Sequence, residues 1–117
     1  FFSRTANEHV GEVYYEEKMK KQNLRSLKQI SSSLKMNVAL MDDIPADIVR
    51  QLDQVDEDIK DLVPLFSNEA LQLEQNIGDT LLCIESYLSN PQENAQAIAD
   101  TFRLVHTFIR KRQLLTD

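Results

Sequence analysis

Glycine and proline are nearly missing from this chain: two and three among 117 residues. Sheet proteins turn every few residues and use both types to do so, which argues against β-sandwiches, barrels and disordered linkers. Tryptophan is absent, and the one cysteine, Cys83, has no partner for an internal disulfide. No Cys/His cluster has zinc-ligand spacing, so no metal or cofactor is expected. No apolar run approaches the ~20 residues that span a bilayer. A net charge of −6 argues against nucleic acid as a partner, because neutralising phosphates needs a basic surface. Glycine-rich phosphate loops, HExxH and Gly-x-Ser-x-Gly are all missing, and no enzymatic activity is expected. What remains is ordinary for a folded helical domain: 42% apolar and 27% charged residues.

The apolar residues are spaced three and four apart, the period of a helix face. Leu24, Leu27, Ser31, Leu34, Val38 and Met41 form one seam with a single polar member. Traced backwards it weakens to Val13 and Val10, helped by Tyr14, and predicts one long helix over 6–41. Ser31, Ser32 and Ser33 read as a thin, close-packing patch. Asp42 to Pro45 ends that helix and starts the next, since acids and Pro suit a helix N-terminus. Ile48, Leu52, Val55, Ile59, Leu62 and Phe66 make the second seam, over 45–63. Pro64 in a helix interior would cost about 3 kcal/mol, which favours a tight helix–helix turn over 64–68, capped by Ser67 or Asn68, over the alternative of one kinked helix whose apolar phase runs on. The third seam is Ala70, Leu73, Ile77, Leu81, Ile84 and Leu88, over 68–88. Asn90, Pro91 and Glu93 form a capping signal for a last helix over 91–114, burying Ile98, Phe102, Val105, Phe108 and Ile109. Arg110, Lys111 and Arg112 then place cations at its negative end.

These four stripes predict a single all-α domain, an antiparallel up-down-up-down four-helix bundle with a long first helix. That helix reaches roughly 50 Å at 1.5 Å per residue, beyond what its neighbours cover. Its overhang makes Val10, Val13, Tyr14, Leu24 and Leu27 the candidate interaction residues, toward a homodimer or a helical protein partner. Charge is segregated as well. Glu16 to Lys35 holds six basic residues and Asp42 to Asp61 eight acids, a pattern that lets the first two helices select each other. Asp56, Glu57, Asp58 and Asp61 lack the Gly and Glu of a calcium loop and read as a solvated acidic face. Cys83 reads as a small buried or half-buried residue, and His9 as exposed.

Two resemblances bear on function. Phe102-Arg103-Leu104-Val105-His106-Thr107 resembles the phosphoacceptor helix of histidine-phosphotransfer domains, with Phe66 to Ala70 similar to the start of that family's preceding helix. The likeness covers residues 66–112 and implies His106 as phosphoacceptor, with Arg110 as the cation one turn on. Where the family places Lys and Gly after the histidine, this chain has Ile109 and Arg110, so the expectation is that His106 accepts no phosphoryl group. The second resemblance is architectural. An even number of antiparallel helices returns both ends to one side, similar to the four-helix sensor domains of bacterial transmembrane receptors. It implies tethering to a membrane by segments outside this chain, with Phe1-Phe2 ending a preceding span and the opening Phe marking a processed or excised piece. The reading is therefore a non-catalytic signalling or interaction module, most concretely a ligand-sensing or dimerising four-helix domain of a transmembrane receptor, with phosphotransfer and a partner-binding helical scaffold as alternatives. Neither compartment nor ligand follows from the residues.

Overall fold

A computed structural model describes residues 23–116. Val10, Val13 and Tyr14, His9, and the first half of the expected long helix lie outside the described residues. Within them the fold is all-α, with four helical segments and no strand. They are α1 (described over 23–39), α2 (Ala46–Lys60), α3 (Asn68–Tyr87) and α4 (Ala95–Leu114).

The α1 seam is buried from Leu24 through Val38, but Met41 is exposed. The helix ends before it, because the last turn tightens: Leu40 N–H donates to Asn37 and Met41 N–H to Val38, each three residues back. Asp43 then takes φ 62°, a left-handed conformation that short polar side chains tolerate better than most. Pro45 stands just outside α2 and its carbonyl accepts from Ile48 N–H at 3.0 Å.

The α2 helix stops at Lys60, three residues short of the expected end. Pro64 explains the stop. A helix continued through it would drive the pyrrolidine ring against the Lys60 carbonyl, and the residue before a proline avoids helical dihedrals. The expected tight turn over 64–68 is instead a longer non-helical passage, residues 61–67. Leu62 and Leu65 bury their side chains from it, while Phe66, assigned to the seam, is exposed. Ser67 caps α3, its Oγ accepting from Ala70 N–H at 3.1 Å.

The last helix starts at Ala95, not at residue 91. Asn90 Oδ1 does accept from Glu93 N–H, at 3.4 Å, but it closes a preliminary turn only. Asn94 is the reason. Its amide nitrogen donates to the carbonyls of Tyr87 and Asn90 at 3.1 and 3.0 Å, satisfying acceptors at the end of α3 and bending the chain there.

Side chains from all four segments meet in one core, from Leu24 and Leu34 of α1 to Phe102 and Ile109 of α4. The α4 helix packs along α3 and touches α2 more lightly, whereas α2 and α3, though consecutive, make no close backbone approach. Leu27 and Ile30 of α1 lie over Gly78 of α3. Lys35 of α1 reaches Asp53 of α2 at 3.5 Å, a contact of the kind the charge segregation anticipates.

Candidate functional site

His106 sits on one flank of α4, half-buried, with its ring stacked on Phe102 at a centroid distance of 6.5 Å. Ile109, at the place of the family's lysine, points into the core. Arg110, one turn along, is exposed. Among the described residues His106 takes part in no hydrogen bond or ion pair, and its ring is held by the stack on Phe102. Leu24 and Leu27, named as interaction residues, lie inside the chain's own core. Seam periodicity finds a buried stripe without saying which helix covers it, and here the cover is internal.

The polar chemistry lies elsewhere, at three buried charged residues that the apolar seams leave out. Asp56 was assigned to a solvated acidic face, yet it is 1% exposed. Ser31 Oγ donates to its Oδ1 at 2.9 Å, Lys60 Nζ stands 2.7 Å from Oδ2, and Lys35 Nζ 3.7 Å. Burial pushes this carboxyl up, but the bond from Lys60, the Ser31 hydroxyl and the charges of Lys60 and Lys35 prevail and hold it below its ordinary value. Ser31 is thus a polar partner within the core, with a role beyond that of a thin packing residue.

Glu74 and Arg112 form the second cluster, 3% and 2% exposed. Arg112 Nε donates to Glu74 Oε2 at 3.0 Å, and Nη2 to the Val63 carbonyl at 2.7 Å. Burial raises the Glu74 carboxyl above its ordinary value, against the opposing pull of Arg112 and a hydrogen bond from Asn23. Arg112 was read as one of three cations complementing the helix dipole; its side chain turns inward to Glu74. A signal was present in the spacing. Asp56 follows Leu52 by four and precedes Ile59 by three, Glu74 stands likewise between Ala70 and Ile77, and Arg112 follows Ile109 by three.

Both clusters tie helices together. Ser31–Asp56 joins α1 to α2, Glu74–Arg112 joins α3 to α4, and Arg112–Val63 fastens α4 to the 61–67 passage. A carboxylate held ionised by two lysines is a poor proton donor, and one paired with a buried guanidinium is not free to bind a substrate.

Three hollows stand out among the described residues. A groove of about 260 Å³ between α1 and α3 has Gly78 on its floor and Asn23, Ser26, Gln75 and Asp79 along it. A second, about 320 Å³, brings Arg25 and Lys28 beside Pro64. The smallest, about 90 Å³, is lined by Val38, Ala39, Val49 and Leu52, with Lys35 and Asp53 at its edge. Cys83, expected to be at least half-buried, is exposed on α3. Among the described residues no set of three His, Cys, Asp or Glu is arranged to hold a metal ion, and no helix is long and apolar enough to cross a membrane. Compared with known protein families, curated proteins and solved structures, the chain has no match.

Proposed function

We propose that this chain is a non-catalytic helical signalling or interaction module, in its most concrete form a dimerising four-helix domain of a transmembrane receptor. The observation that carries the reading is where the charge goes. The buried ionisable side chains serve as cross-links between helices, while large apolar side chains such as Met36, Leu40 and Leu104 remain on the outside. Chemistry turned inward and apolar groups turned outward suit a rigid body that another protein recognises.

An up-down-up-down course belongs to the same proposal. Ser31 and Lys35 of α1 meet Asp56 and Asp53 of α2 in reverse order, and Glu74 and Tyr87 of α3 face Arg112 of α4 and Asn94, the residue that precedes α4, in reverse order too, which supports antiparallel travel. The long first helix supplies the dimer contact through Val10, Val13 and Tyr14, and segments outside the chain supply the membrane tether. Sedimentation across a concentration series tests this. A monomer–dimer equilibrium is expected, lost in a Val10→Lys/Val13→Lys variant that keeps its helicity. A strict monomer at high concentration rejects the dimer.

A further inference from the structure

The geometry points to the corner where α1 turns into α2 as a docking surface for a basic amphipathic helix of another protein. This goes beyond the proposed dimer, which uses residues 10–14.

The corner is apolar first. Leu40, in the turn that closes α1, is 84% exposed, and Met36, four residues earlier on the helix, 68%. Ala39, three residues from Met36, shares the smallest hollow with Val49 of α2, itself exposed. A band therefore runs from Leu40 through Met36 and Ala39 to Val49, with Met41 at the turn. Apolar side chains this exposed on one helix end mark a contact surface more often than scattered single residues do. Two of them are methionines, whose unbranched, polarisable side chains adapt to a partner's relief.

The rim is acidic, and this selects the occupant. Asp42 and Asp43 are exposed in the turn and make no ion pair among the described residues, and Asp47 follows in the first turn of α2. Of the nearby cations, Lys35 is engaged by Asp53 and Asp56, and Arg50 by Asp47. A second copy placed symmetrically on this corner would set aspartates against aspartates. An anionic bilayer would be repelled for the same reason. A helix with an apolar stripe flanked by Lys or Arg satisfies both halves of the surface, its stripe over Leu40 and Met36 and its cations over the turn.

The full chain, labelled with ¹⁵N, is titrated with a synthetic Leu/Lys amphipathic helix of about 18 residues, or five turns, and with its Leu/Glu counterpart. The Lys peptide is expected to shift amides over residues 36–49 and the Glu peptide to leave them in place. Met36→Ser with Leu40→Ser should weaken binding about tenfold or more. Asp42→Asn with Asp43→Asn should weaken it less and flatten its dependence on salt. All four side chains are exposed, so circular dichroism should not change. The proposal is overturned by the absence of shifts at the corner or by an equal response to the Glu peptide. Corner amides that move with protein concentration alone, or with anionic vesicles in place of the peptide, also overturn it. Such failure leaves the sedimentation result at residues 10–14 untouched.

Discussion

Replacing Arg112 with Met removes one charge of a buried pair while keeping most of the aliphatic body that packs beside it. Arg112 and Glu74 are 2% and 3% exposed, so the orphaned carboxylate has little water to turn to. Breaking such a pair from one side costs about 3–5 kcal/mol. The Val63 carbonyl also loses its donor at 2.7 Å, but Val63 lies on the surface and water replaces much of that bond. In a domain of about 100 residues the loss should lower Tm by on the order of 15–25 °C. Its pH dependence carries the diagnosis. Glu74 already binds its proton more tightly in the folded chain than an ordinary glutamate does. The folded state therefore holds more protons across the window from the ordinary value up to the raised one, and this group's contribution to stability falls as pH rises through it. Without Arg112 the folded-state value climbs further, and the window widens toward neutrality. Urea unfolding of Arg112→Met should then show a penalty that is large at pH 7 and shrinks on acidification. Adding Glu74→Leu should recover most of the loss, since replacing both members of a buried pair by apolar groups is often neutral or stabilising. A penalty below about 1 kcal/mol, one indifferent to pH, or a double variant no better than the single would refute the account of a desolvated pair.

Asp56→Asn should be destabilising above the ordinary aspartate range, and the difference from the parent chain should vanish on strong acidification. The folded-state carboxyl lies below its usual value, so its contribution is present above the unfolded pKa and lost as pH falls through the folded one; acid titration of ellipticity at fixed urea reads this. Gly78→Ala should raise stability by about 0.5–1 kcal/mol in a denaturant melt. A methyl there meets Ile30 and Leu27 at 3.5 and 3.8 Å, ordinary contact distances. His106→Gln should change stability by less than about 1 kcal/mol, because no hydrogen-bond partner is stranded. Incubation of the parent chain with a phosphorylated receiver domain should leave no label on His106, and mapped phosphohistidine would overturn the non-catalytic reading.

Much of the fold was legible because helix faces are written locally. Three- and four-residue spacing put Leu52, Val55 and Ile59 on one stripe, and the structure buries all three. Ser67 was recognisable as a cap because the donor it satisfies, Ala70 N–H, lies three residues away. Element ends were less legible where two local rules compete. Asn90 and Pro91 signal a start, but the Asn94 side chain turns back to the end of α3 and delays it.

The candidate site was settled by residues far apart in the chain. Asp56 shares an acidic run with Glu57 and Asp58 but falls between Leu52 and Ile59 on the buried stripe, and it is Ser31, 25 residues earlier, that meets it there. Arg112 closes a basic run that reads as a dipole complement until Glu74 and Val63, 38 and 49 residues away, are brought beside it. Periodicity says which way a side chain points. Whether a charge can remain there depends on a counter-charge delivered by another helix, because a desolvated ion is tolerated only when paired. That pairing is a property of the packed bundle, and tertiary structure alone decided it.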